Sequence, residues 1–90
     1  MTEYNGWANY PTWNIHLWLT NEEGLYYQAL EIVNQEYTYN VHRDDALKAY
    51  VEDLIYEHDL YPPSGMTADL LGWALAQVDW REITDALREE

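Results

Sequence analysis

Tyr4 to Leu25, YNGWANYPTWNIHLWLTNEEGL, is the stretch whose reading decides the fold. Three of the five tryptophans, Trp7, Trp13 and Trp18, fall inside it, with Tyr4, Tyr10 and a proline. An aromatic side chain buries roughly 150–250 Å² when it packs, so this one segment is expected to supply much of a small core. Asn5-Gly6 is a turn dipeptide, which makes residues 1–10 an irregular arm with Trp7 and Tyr10 folded back onto the core. Pro11 suits the first turn of a helix, where its missing N–H costs nothing. Asn9 or Tyr10 then caps a short helix over 12–19. Its apolar residues Trp13, Ile15, Leu17, Trp18 and Leu19 leave little polar face, so near-complete burial is expected.

Beyond that helix, Asn21 reads as the N-cap of a second, running to about Glu36, with Glu22 and Glu23 complementing its positive end. Leu25, Ala29, Ile32 and Val33 mark its buried stripe, with Tyr26 at the edge. Tyr37 to Val41 is β-prone, but with no partner strand elsewhere it reads as an extended connection, and Asn40 as a turn or cap. The third helix spans about Arg43 to His58. There Leu47, Tyr50, Val51, Leu54 and Ile55 recur at three- and four-residue spacing, the strongest amphipathic signal in the chain. Tyr61 to Gly65, YPPSG, breaks it. A fourth helix is expected over about Thr67 to Gln77, carrying Leu70, Leu71, Trp73, Ala74 and Leu75. Gly72 within it marks a weak point or a close helix approach. The last helix opens with Asp79 as cap and Glu82 three residues on, a capping box. Val78 and Ile83 form the hydrophobic staple beside it, and Ile83, Ala86 and Leu87 its buried face. The expectation is an all-α fold: one compact domain over 1–90, a bundle of about five short helices with an irregular aromatic N-terminal arm.

Ninety residues without cysteine leave the hydrophobic core to do the stabilising. The N-terminus lacks the charged and apolar regions of a signal peptide. No run approaches the ~20 apolar residues of a membrane span, so a soluble cytoplasmic protein is expected. Seventeen Asp and Glu against four Lys and Arg give a formal net charge of −13. High charge can mean disorder, but 48% hydrophobic and 16% aromatic residues argue for a folded core. A field of this sign repels nucleic acid and anionic membranes and attracts basic surfaces, which are often built to bind nucleic acid. Direct nucleic-acid binding is therefore not expected, and the partner implied is a basic protein.

The acids fall into rows. On the third helix Asp45, Glu52 and Asp59 are seven apart and lie within about 40° of one line at 100° per residue. Asp44, Asp53 and Glu57 widen that face. On the last helix Glu82, Asp85 and Glu89 form a second row. Seven residues of helix cover about 10.5 Å, a scale comparable with several phosphate spacings on a DNA strand. Such rows present carboxylates where a basic groove expects phosphates. The plain alternative is a solvated face, but ordinary solvated faces mix in lysines, and only Lys48 sits among these acids. Asp45, Glu52, Asp53, Glu57, Asp59, Glu82, Asp85 and Glu89 are the candidate partner-binding residues, with Tyr56 adding contact area beside them.

Enzymatic readings find little support. Nothing marks one carboxylate in an apolar pocket with another nearby, as general acid–base work requires. Ser64 is the only serine and sits in a breaker, without a nucleophile-elbow motif. His16, His42 and His58 have no metal-ligand spacing, and His16 reads as a hydrogen-bonded core residue. No cofactor, metal or catalytic residue is expected. Among the aromatics, Trp13, Trp18 and Trp73 read as core, whereas Tyr27, Tyr37, Tyr39, Tyr56 and Tyr61 are interface candidates.

The residues GWANYPTWNIHLWLTNEEGLY resemble the N-terminal signature of a small domain family of phages, plasmids and archaeal or bacterial mobile elements, roughly NGW-x-NYETWN followed by apolar residues and GLY. Asn5-Gly6-Trp7, Asn9-Tyr10, Thr12-Trp13-Asn14, Leu17-Trp18 and Gly24-Leu25-Tyr26 match it, and Pro11 stands where the pattern usually has Glu. The resemblance implies a mobile-element origin. By charge, size and that origin the chain is similar to DNA-mimicking inhibitors of restriction or CRISPR-Cas complexes. The expected function is therefore a non-enzymatic inhibitor, monomer or dimer, that occupies a basic nucleic-acid-binding surface of a host defence protein. The alternative is an acidic adaptor or antitoxin-like module anchored by surface tyrosines.

Overall fold

The computed structural model describes residues 6–57 and 64–89. Its helices are α1 (Tyr10–Asn21), α2 (Glu23–Val33), α3 (Asn40–Tyr56), α4 (Gly65–Ala76) and α5 (Trp80–Arg88). Among the described residues there is no strand, so the fold is an all-α bundle, as the patterning predicts.

Local chemistry explains where α1 begins. Asn9 is extended (φ −163°, ψ 175°) and its Oδ1 accepts the Thr12 N–H at 3.0 Å, an N-cap of the usual kind. Pro11 follows in the first turn, where no intrahelical donor is lost. The helix is longer at both ends than expected. It runs through Thr20, whose hydroxyl donates to the His16 carbonyl at 2.9 Å, to Asn21. Asn21 is therefore the last residue of α1 and not the cap of α2. That role passes to the single extended residue Glu22, which makes no side-chain cap bond. One residue between two helices leaves no room for a separate capping turn.

The second helix stops at Val33, three residues early, because Asn34 turns its side-chain amide back onto the Leu30 carbonyl (2.9 Å). The connection that follows is organised by Arg43. It is buried, donates to Asn40 Oδ1 (2.7 Å) and the Gln35 carbonyl (3.3 Å), and lies 5.2 Å from the centre of the Tyr37 ring. The Tyr37 hydroxyl in turn donates to the Ile32 carbonyl (2.8 Å). Asn40 is thus the first helical residue of α3, which begins three residues before Arg43.

The bundle centre is shared by α1, α2, α3 and α5. Leu19, Ala29, Val33, Leu47, Val51, Val78, Ile83 and Leu87 form the buried cluster. The stripes read from α2, α3 and α5 supply all but Leu19 and Val78. The expected staple residues Val78 and Ile83 both join it.

The other half of the opening signature has a tertiary task. Thr12 is 0% exposed. Its hydroxyl donates to Asn9 Oδ1 (2.6 Å) and accepts the N–H of Asp79, the cap of α5, at 2.9 Å. The Asn9 side-chain amide donates to the Gln77 carbonyl at 2.7 Å. The start of α1 is therefore tied to the start of α5 by a network in which each polar side chain works in both directions. This changes the capping box. Asp79 Oδ1 accepts the Glu82 N–H (3.1 Å) as expected. The return bond is replaced, because Thr12 takes the Asp79 N–H while Glu82 Oε1 accepts the N–H of Ala8 (3.0 Å).

The fourth helix departs most from expectation. Leu75 is its only buried residue, while Met66, Leu70 and Trp73 stand exposed, Trp73 to 62%. Trp18 on α1 is also exposed, to 60%. Neither tryptophan is core. A helix that is apolar around most of its circumference can bury only the side that meets a neighbour, and periodicity does not say which side that is. Gly72 is no close approach either, since a Cβ built there would meet nothing within 4 Å.

Candidate functional site

Each acidic row sits on a helix whose other side is held by the core. On α5, Ile83, Thr84 and Leu87 are buried. At 100° per residue Glu82, Asp85 and Glu89 fall within an arc of about 60° on the opposite side. These three carboxylates, with Gly6, Trp7 and Ala86, line a shallow cleft of about 420 Å³. Asp85 and Glu89 are exposed, while Glu82 is half-buried and engaged with Ala8. Trp7 walls the cleft and packs on His16, with ring centroids 4.5 Å apart. His16 is thus half-buried against an aromatic ring beside the arm.

The α3 candidates divide. Asp45, Glu52 and Tyr56 fall within about 40° of one another on the helix, whereas Asp53 and Glu57 stand about 100–140° round from Glu52. Asp45, Asp53, Tyr56 and Glu57 are exposed, and Glu52 is half-buried. Asp59 lies outside the described residues, as do His58 and Tyr61. Asp44, read as widening the face, is instead taken up at the seam between α3 and α5, where its Oδ2 accepts from Arg81 Nε at 2.8 Å.

Where the cations go matters as much. Arg43 is buried beneath Tyr37, Arg81 pairs with Asp44, and Lys48 is half-buried. Arg88 is exposed in the last turn of α5. Two of the four basic side chains are thus engaged in holding the fold, and the acidic excess faces outward little diluted.

Of the tyrosines named as interface candidates, Tyr27 (61% exposed), Tyr39 (64%) and Tyr56 present their rings to solvent. Tyr37 does not, because its hydroxyl and ring are both used in the Arg43 connection. Burial pushes the Tyr50 phenol above its usual range, and the same hydroxyl donates to the Leu25 carbonyl at 3.4 Å.

One feature was not anticipated from sequence. An apolar groove of about 370 Å³ runs between α1, α3 and α4, lined chiefly by Tyr10, Ile15, Trp18, Leu54, Ile55, Leu71 and Leu75. The signal for it was present in α4: GMTADLLGWALA carries one charged residue in twelve, more apolar surface than a peripheral helix can bury. Among the described residues no helix is long and apolar enough to cross a membrane.

The chain belongs to the Family of unknown function DUF7249, whose model matches residues 1–90. No curated protein and no solved structure matches the chain.

Proposed function

We propose that this member of DUF7249 is a non-enzymatic inhibitor that occupies a basic nucleic-acid-binding surface of another protein, with the acidic sides of α3 and α5 standing in for phosphates. The observation that carries the reading is the α5 cleft, where the exposed carboxylates of Asp85 and Glu89 line one pocket with Trp7 and the half-buried Glu82. An Arg or Lys side chain entering it meets carboxylates, and where it lies over the face of the Trp7 indole it gains a cation–π contact as well. The resemblance of the opening signature to mobile-element domains directs the choice of partner to a host defence complex of the CRISPR-Cas or restriction type.

The test is inhibition in a host with an active defence system, read as the plating efficiency of a targeted phage. Wild-type protein raises plating. The triple variant Asp45→Lys, Asp85→Lys, Glu89→Lys, with an unchanged circular dichroism spectrum, loses the effect. Undiminished inhibition by that variant sinks the reading.

A second reading, an acidic adaptor or antitoxin-like module anchored by tyrosines, is favoured by the exposure of Tyr27, Tyr39 and Tyr56. Salt separates the two. Exposed charges are screened beyond about 10 Å at 0.1 M salt, so carboxylate-led binding weakens steeply as salt rises. A tyrosine-anchored interface holds its affinity in salt and loses it on Tyr27→Ala or Tyr56→Ala.

A further inference from the structure

We infer that α4 is a gate on the apolar groove, a unit that melts over residues 65–74 while α1, α2, α3 and α5 stay folded. The inference goes beyond the reading above and does not rest on it. Isolated helices shorter than about 12–15 residues are marginal in water, and α4 has 12 residues. Its local chemistry adds little. The Ser64 side chain makes no cap bond, the first turn holds no acid, the last turn holds no base, and Gly72 interrupts the middle. At 9 residues α5 is shorter, yet it has the Asp79 cap, Glu82 in its first turn and Arg88 in its last.

Tertiary packing does not make up the difference. Backbones pack closely in the pairs α1–α2, α1–α5, α2–α3, α2–α5 and α3–α5, and among the described residues α4 has no packing of that extent with any helix. Within α4 only Leu75 is buried. Ala68, Leu71 and Ala74 are half-buried, and the rest are exposed, Met66 to 78%. The groove of about 370 Å³ is the gap on its inner side, where Leu71 and Ala74 line open space that Ile15, Leu54 and Ile55 line from across it. The C-terminal end is different. Leu75 and Val78 are buried, the Gln77 carbonyl accepts from Asn9 (2.7 Å), and the Asp79 N–H donates to Thr12 (2.9 Å). Segments with few buried apolar contacts open at lower free energy than the core they adjoin, so this anchor marks where the opening stops. Opening bares Ile15, Leu54 and Ile55 and leaves the acidic sides of α3 and α5 in place.

The test is native-state amide exchange of the full chain, read residue by residue by NMR. The amides of residues 69–74 exchange through one common opening, roughly a hundredfold or more faster than those of Leu47, Val51, Ile83 and Leu87 once intrinsic rates are divided out. A smaller gap overturns the inference. So does an Asp79 amide that exchanges with the α4 group, because the opening then runs through the anchor. Gly72→Pro separates a gate from a frayed part of one cooperative core. Proline there lacks the N–H and clashes with the carbonyl of Ala68, so α4 is lost. A gate then leaves Val51 and Ile83 protected, with a fall in helical circular dichroism no larger than the share of α4. Loss of protection at Val51 and Ile83 in that variant overturns the inference, since α4 and the core are then one unit.

Discussion

Replacing Thr12 by Val keeps the shape of a fully buried side chain and removes its hydroxyl. Two consequences follow from the geometry. The Asp79 N–H loses its acceptor at 2.9 Å in a partly buried setting, and the 2.6 Å bond to Asn9 Oδ1 disappears. Leaving a buried donor unmade costs about 1–3 kcal/mol, and a lost ordinary hydrogen bond about 1 kcal/mol. A total of about 2–3 kcal/mol lowers the thermal midpoint of a domain this size by roughly 10–20 °C. Thr12→Ser keeps both bonds and loses one buried methyl, about 1 kcal/mol, so the Ser variant is the more stable of the two. Denaturant titrations of both variants measure the difference, and amide exchange shows whether Asp79 loses protection. The Asn9→Ala variant loses the α1 cap and the tie to Gln77. Combined with Thr12→Val it gives a coupling energy of about 1 kcal/mol, because the two residues share a bond. If the Val variant matches or exceeds the Ser variant in stability, or the double variant is additive, the hydroxyl is not the tie between α1 and α5.

Two further outcomes follow from single positions. Gly72→Ala, inside α4 where an added Cβ meets only open space, stabilises the fold by roughly 0.5–1 kcal/mol through the backbone entropy of the unfolded chain; a loss of stability in denaturant titration contradicts the open placement. Burial raises the Tyr50 phenol, so its contribution is fully present below the unfolded tyrosine value of about 10 and is lost as pH rises through the folded value. Stability measured between pH 8 and pH 11 therefore falls less in Tyr50→Phe than in wild type, and an equal fall refutes the burial effect.

What was legible in advance was whatever a few neighbouring residues settle among themselves. The cap at Asn9, the cap at Asp79 and the stripe of α3 all rest on interactions within about one or two helical turns, where spacing is the geometry. The acidic rows were legible as rows for the same reason. Their availability was not. Asp44 is taken up by Arg81, 37 residues away, and Glu82 by Ala8, 74 residues away. The burial of Arg43 likewise depends on Tyr37 and Gln35 folding over it.

The opening stretch shows where local reading ends. By itself the sequence determined that Tyr4 to Leu25 begins a helix near Pro11, that the chain is helical, and that it carries a net charge of −13. Those conclusions depend on propensity, spacing and composition, all of which are present in the unfolded chain. Only the tertiary structure decided that Leu19 enters the core while Trp18 faces outward. It alone turned Asn9 and Thr12 into a tie to the start of α5, and left the apolar surplus of α1 and α4 as an open groove. The physical reason is that burial belongs to the partner surface: an apolar residue is core only where another helix is placed to cover it.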